Sequence, residues 1–188
     1  MVNLGFIVEG DSEKIIIESE RFSAFLEQNN FLLVKPVINA RGGGNLLPQN
    51  IGVFIQTLKK AGVEQICVLT DLEDEGSVDI VRERISNAEV DQIFVAVKAL
   101  EAWFLADTGA MRQWLGEDGF IESYPENTPD KPWDRLKELV RLYSVRGTGS
   151  KVAFANKMVK HFNFDVTHAS AHEHCLSAKE LVDFFTHP

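Results

Sequence analysis

Four short runs of apolar, β-branched and aromatic residues constrain this chain most: LGFIVE (4–9), FLLVKPVI (31–38), QICVLTD (65–71) and QIFVAV (92–97). The first, third and fourth lack strict alternation of apolar and polar residues, which predicts strands covered on both faces. Segments with helical spacing separate them. Ile15, Phe22, Phe25 and Leu26 form one stripe; Leu47, Ile51, Phe54, Ile55 and Leu58 form a second that ends at Gly62; Val78, Val81 and Ile85 form a third. Strand and helix in alternation predict an α/β fold, a mainly parallel central sheet of about four strands with covering helices.

The rest of the chain reads as helical. ALEAWFLADTGAMRQWLG (99–116) predicts a helix broken near Thr108-Gly109, with Trp103 and Phe104 packed into the core. FIESYPENTPDKPW (120–133) carries three prolines and reads as a surface loop, with Pro132 suited to the first turn of a helix reaching about Tyr143. SVRGTGS (144–150) is a second connection, followed by helices over about 151–161 and 177–185. No internal repeat marks a boundary, so one domain is expected over 1–188, with a core of about 1–107 and a helical elaboration over about 108–188.

A length of 188 residues suits one domain with a real core, and thirteen Phe and three Trp argue against disorder. No apolar run approaches the ~20 residues that span a bilayer, so no membrane partner is expected. The N-terminus has neither a basic region nor a small-residue cleavage site. Cys67 and Cys175 form no disulfide framework, and Cys67 reads as a small core residue. A cytoplasmic location follows as the expectation. The formal net charge of −9 weighs against broad, salt-driven binding to nucleic-acid backbones. It leaves open a metal-dependent enzyme acting on phosphodiesters, whose site must itself be acidic.

Charge gathers where the strands end. Glu9 closes the first run, Asp71, Glu73, Asp74 and Glu75 close the third, and Lys98 and then Glu101 follow the fourth. Ligands in open parallel sheets bind beyond the carboxyl ends of the strands. If these strands are neighbours, Glu9, Asp71 and Glu73 enter one crevice, with Glu13 on the first turn of the adjoining helix. Packed carboxylates need a neutralising cation, and hard oxygen ligands suit Mg²⁺ or Mn²⁺. Such an ion supports phosphoryl transfer. Asp11 or Ser12 serves more simply as a helix cap, and Asp74, Glu75 and Asp79 as solvated loop or first-turn residues.

FIVEGDSE followed by CVLTDLED resembles the TOPRIM domain of topoisomerases, primases and overcoming-lysogeny-defect nucleases. That domain sets a glutamate after its first strand and an Asp-x-Asp pair after a later one, and together they hold Mg²⁺. The opening is similar to the nuclease pattern VEG-x-(T/S)-E at Val8, Glu9, Gly10, Ser12 and Glu13. KALEAWFLAD (98–107) resembles the signature of a small stand-alone bacterial TOPRIM-like family of unknown function. The resemblance covers about 4–107 and implies Glu9, Glu13, Asp71 and Glu73 as metal ligands. It implies Glu101 and, within SKVAFANKM, Lys151 as further site residues. Lys151 or Lys98 would offset transition-state charge; the general base is Glu9 or a water that the ion activates. The expected Asp-x-Asp reads Asp71-Leu72-Glu73, so the pair is either Asp71 with Glu73 or Asp71 with Asp74. The implied activity is Mg²⁺-dependent cleavage of nucleic acid. Two rivals stand beside it: a non-catalytic module docking a protein such as a separate ATPase, and a small-molecule phosphatase or phosphotransferase.

Three weaker signals remain. NARGGGNL (39–46) offers Arg41 and the amides of Gly42, Gly43 and Gly44 to a phosphate, although Gly-Gly-Gly more often marks a flexible turn. THASAHEHC (167–175) holds His168, His172, His174 and Cys175, which read as surface loop residues before a zinc site. Arg135, Lys137, Arg141 and Arg146 form a modest basic segment whose default role is a solvated helix face.

Overall fold

The computed structural model describes residues 1–187 and is α/β. Strand β1 (Val2–Val8) leads to helices α1 (Asp11–Ile17) and α2 (Glu20–Gln28), then to β2 (Phe31–Leu33) and β3 (Ile38–Asn39). Helix α3 (Pro48–Lys60), β4 (Gln65–Asp71), α4 (Val78–Ile85) and β5 (Gln92–Ala96) complete the sheet half. The second half is helical: α5 (Glu101–Ala106), α6 (Thr108–Leu115), α7 (Pro132–Leu142), α8 (Lys151–His161), α9 (Val166–Ser170) and α10 (Leu176–Thr186).

All strand pairs are parallel, with β1 central between β4 and the short β2 and β3, and β5 beyond β4. The run FLLVKPVI therefore yields two strands where one was expected, giving five. β2 pairs with the start of β1 and β3 with its end. Pro36 lies between them and has no N–H to continue the ladder. The expected stripe after β1 likewise divides into two helices. Ser19 caps the second, its Oγ accepting from Phe22 N at 3.2 Å. Gly10, not Asp11 or Ser12, occupies the N-cap of α1, and Asp11 Oδ1 instead accepts from Asn39 Nδ2 at 2.7 Å.

Pleat alternation sorts the strand residues into two cores. Phe6, Val8, Cys67, Leu69, Phe94 and Ala96 face α1, α2 and the C-terminal helices. Ile7, Ile66, Val68 and Val95 face α3 and α4. Covering both faces accounts for the near-continuous apolar runs in the sequence. At Gly5 a Cβ would lie 2.9 Å from Val63 Cγ1 and 3.0 Å from Leu58, so only glycine admits the α3–β4 connection this closely. Trp103 and Phe104 are buried as expected, and Trp103 Nε1 donates to Ser177 Oγ at 2.8 Å. The break between α5 and α6 falls at Asp107, whose Oδ1 accepts from Ala110 N and whose Oδ2 accepts from Asp165 N. No helix among the described residues is long and apolar enough to cross a membrane.

After β1 the chain turns to β2 and β3 on one side, then crosses back over β1 to reach β4 on the other. The switch point, where a crevice opens in folds of this kind, thus lies between the carboxyl ends of β1 and β4. Glu9 and Asp71 follow those two strand ends directly.

Candidate functional site

Glu9 continues the β1 ladder by one residue, its N–H donating to Leu69 O at 3.1 Å. Its Oε2 accepts from Thr70 Oγ1 and from Asp71 N. Oε1 lies against the glycine loop, since a Cβ on Gly43 would approach it to 3.2 Å. Asp71 Oδ1 accepts from Leu100 N at 2.8 Å, which joins the end of β4 to the start of α5. From that first turn Glu101, only 3 % exposed, pairs with Lys151 Nζ at 3.0 Å. Lys151 opens α8, and α8 packs against α1. On α1 stands Glu13, 7 % exposed and without an ion pair among the described residues. Its carboxylate folds back over Gly10, where a Cβ would sit 3.0 Å from Oε2.

The electrostatics tie these groups together. Burial, then the charges of Glu9 and Glu101, raise Glu13 from its ordinary 4.5 to about 7, against its own backbone N–H and Lys151. Burial, followed by Glu13, Glu101 and Glu9, pushes Asp71 well above the usual carboxylate range. Burial opposes the charge on Lys151, but Glu101 first, then Asp71 and Glu13, hold its proton more firmly than usual. Four carboxylates thus share one ammonium. Perturbed acids of this kind in a crevice are a mark of function.

Two expected members lie outside this buried group. Glu73 adopts a left-handed backbone (φ 51°), which breaks the alternation that would have set its side chain beside that of Asp71. Its N–H donates to Lys98 O at 2.8 Å, and it lines an outer cavity of about 480 Å³ with Glu9, Asp71, Asp74 and Glu75. Lys98 is also left-handed (φ 61°), and its ammonium donates to the carbonyls of Thr128 and Asp130. Asp74 pairs with Lys131 at 3.3 Å and Glu75 with Arg84.

The glycine loop forms the other wall. Gly43 and Gly44 line the same cavity, but the loop runs into a 3-10 turn at Gly43–Leu46 before α3, so its amides do not open that helix. Gly42 N donates to Glu9 O at 2.9 Å. Arg41, left-handed and exposed, has no partner for its guanidinium among the described residues. The imidazole segment does not converge. His168 Nδ1 lies 3.6 Å from Asp107, His172 Nε2 meets Glu122 O at 2.8 Å, and His174 stacks on Tyr124 with ring centroids 4.6 Å apart. Cys175 is buried, and its Sγ faces Glu126 Oε1 at 3.6 Å.

Thr70, which holds Glu9, carried no signal in the sequence beyond its place before Asp71. The pleat explains more. Glu9 follows Ile7 onto the α3 face, whereas Asp71 follows Cys67 and Leu69 onto the face of α1 and α5. Accordingly, no three Asp, Glu, His or Cys side chains among the described residues stand, as placed, around one point where a metal ion would sit. Comparison with protein-family models, with curated proteins and with solved structures returned no match.

Proposed function

We propose that the crevice between β1 and β4 is a divalent-cation site for phosphodiester chemistry, with nucleic-acid cleavage as the reaction. The observation that carries this is Glu13: a carboxylate 7 % exposed, lacking an ion pair among the described residues, beside three further acids and one lysine. Such an arrangement costs stability unless protons or a cation neutralise it. An all-oxygen donor set fits Mg²⁺ or Mn²⁺, which bind a few carboxylates and keep several waters. Glu9, Glu13, Asp71 and Glu101 would hold the ion, Glu13 and Glu101 adjusting towards the strand ends. A bound ion would polarise a phosphoryl oxygen and lower the pKa of an attacking water.

The remaining roles belong to the chain. Leu100 N orients Asp71, and Thr70 with Asp71 N orients Glu9. Lys151, half exposed and held by Glu101, presents a charge to a phosphate arriving from solvent. The outer cavity is walled by Glu73, Asp74 and Glu75, with Arg84 on Glu75 and Lys131 on Asp74, so accompanying cations favour the approach of a phosphate. The resemblance of VEGDSE and TDLED to the TOPRIM pattern supports the same reading.

Cleavage of plasmid and of single-stranded DNA and RNA with Mg²⁺ or Mn²⁺ is the test. Wild type is expected to cleave, and Glu9→Ala or Asp71→Ala to lose at least about a hundredfold in rate. Equal rates in all three proteins would sink the proposal. One observation favours a protein-docking module instead: Glu9 and Asp71 already accept from protein donors, as structural carboxylates do. Calorimetric titration with Mn²⁺ separates the two, since a docking module would show no binding that depends on Asp71.

A further inference from the structure

The charge of this chain is distributed unevenly. Within a total of −9, residues 139–164 contain no aspartate or glutamate and five cations: Arg141, Arg146, Lys151, Lys157 and Lys160. Elsewhere on the surface most cations are consumed by partners. Arg135 pairs with Glu122 and Glu138, Lys137 with Asp134, Arg82 with Glu180, and Arg84 with Glu75. Half of the basic segment noted in the sequence is thereby neutralised. Arg141 and Arg146 differ. Both are exposed, and neither guanidinium has an ion pair or hydrogen bond among the described residues.

Their setting is directional. Arg141 lies in the last turn of α7, Arg146 in the loop that follows, and Lys151 at the start of α8, in contact with Glu101 of the crevice. Each lies five positions along the chain from the next, so each step spans at most about 18 Å. Lys157 Nζ donates to Gly147 O at 3.0 Å and fastens the loop to α8. Between the two arginines, Leu142 is 63 % exposed and Tyr143 is 37 % exposed, with Tyr143 steadied edge-on by Phe120 at 6.0 Å. Unpaired cations beside a steadied aromatic ring are what a single nucleic-acid strand recognises: charge for its phosphates and a face for a base.

We infer that residues 141–151 form the track along which a single-stranded nucleic acid reaches the crevice, with Arg141 and Arg146 holding phosphates and Tyr143 stacking a base. The inference rests on the phosphodiester reading of the crevice and gives it a substrate form and a direction of entry. It also resolves the sign of the protein. A chain acidic overall binds a polyanion through one stretch of sequence that carries no acid, although Asp130, Asp134 and Glu138 share a surface pocket with Arg141. The acidic crevice receives only the phosphate that its cations neutralise.

Fluorescence anisotropy of a labelled single-stranded oligonucleotide, read across a salt series in EDTA, tests it without requiring cleavage. The double variant Arg141→Glu/Arg146→Glu is expected to bind at least about tenfold more weakly near physiological salt, and the milder Arg141→Gln/Arg146→Gln to lose about 1.4 from the salt slope. Tyr143→Ala should weaken single-strand binding while leaving duplex binding unchanged. The control is Lys60→Glu, exposed at the C-terminal end of α3 and so at the opposite end of the sheet, with a change of about twofold or less. Binding by either arginine variant equal to wild type, or an equal loss in the control, overturns the track. Calorimetric Mn²⁺ binding should be unaltered in both arginine variants. Failure of the crevice reading appears separately: cleavage absent from wild type, with oligonucleotide binding still dependent on Arg141 and Arg146.

Discussion

Two glutamates, both set beside a helix, meet opposite fates. Glu126, in the loop before α7, accepts from Leu176 N and Ser177 N at 2.9 Å each, from Ser177 Oγ, and lies near Cys175 Sγ. It caps α10 from a distance and ties the loop to Trp103 through Ser177. Glu13 is more shielded from water than the part-buried Glu126, yet its neighbours are other acids and one lysine. In the first region one carboxylate is matched by several donors. In the second Glu9, Asp71 and Glu101 each have a donor, but like charges accumulate around Glu13, which has no ion pair among the described residues. A buried carboxylate that is saturated with donors explains itself structurally, whereas one that is not needs a ligand or a proton.

That contrast can be broken in order of effect. Glu126→Ala removes the acceptor shared by Leu176 N, Ser177 N and Ser177 Oγ and should lower unfolding stability by about 3 kcal/mol, read by urea titration. A loss under about 1 kcal/mol would deny its role as the cap of α10. Next comes pH. In the metal-free protein, Glu13 holds its proton to about pH 7 when folded and releases it near 4.5 when unfolded, and Asp71 is displaced in the same direction. The folded state therefore binds more protons across that window. The contribution is fully present below pH 4.5 and lost as pH rises through 7, a decline on the order of 1–3 kcal/mol. Stability that rises with pH from 5 to 7.5 would contradict it, and added Mn²⁺ should flatten the decline. Third, Glu13→Gln should stabilise the metal-free protein at pH 8 by about 1 kcal/mol and flatten that pH dependence, while weakening Mn²⁺ binding. Smallest is His174→Ala, whose exposed ring stacks on Tyr124. It should change stability by about 0.5 kcal/mol or less and leave Zn²⁺ titrations as they were.

The sheet half was legible because hydrophobic periodicity reports burial, and burial on both faces of β1, β4 and β5 leaves unbroken apolar runs. The division of 31–38 into two strands was less legible, because Pro36 interrupts a ladder only once the neighbour is known to be β1. At the site, Lys151 was implied only by the resemblance; the strand-end rule pointed to Glu9, Asp71, Glu73 and Glu101, with Glu13 on the adjoining helix. It could not foresee where Glu73 and Lys98 point. Both depend on a left-handed backbone that propensity does not announce at Glu or Lys, and that the β4–β5 junction imposes through Glu73 N and Lys98 O. The dense run of His168, His172, His174 and Cys175 misleads in the other direction. Neighbours in sequence are sent to different partners once α9 forms within that stretch, where only a loop was expected.

The seam between the two halves of the chain bears on how divisible the protein is. Phe104 packs on Phe154 and Phe164, Glu101 is matched by Lys151, Trp103 by Ser177, and Lys98 by the carbonyls of 128 and 130. Each contact joins a residue before 108 to one after it. The sheet half is therefore not a cassette that carries its chemistry elsewhere, and the helices are not an accessory to be trimmed from it. A fragment ending near residue 107 would lay open a wall of aromatic side chains and leave Glu101 without its counter-charge. Any shuffling that preserved one half would have to bring the other with it.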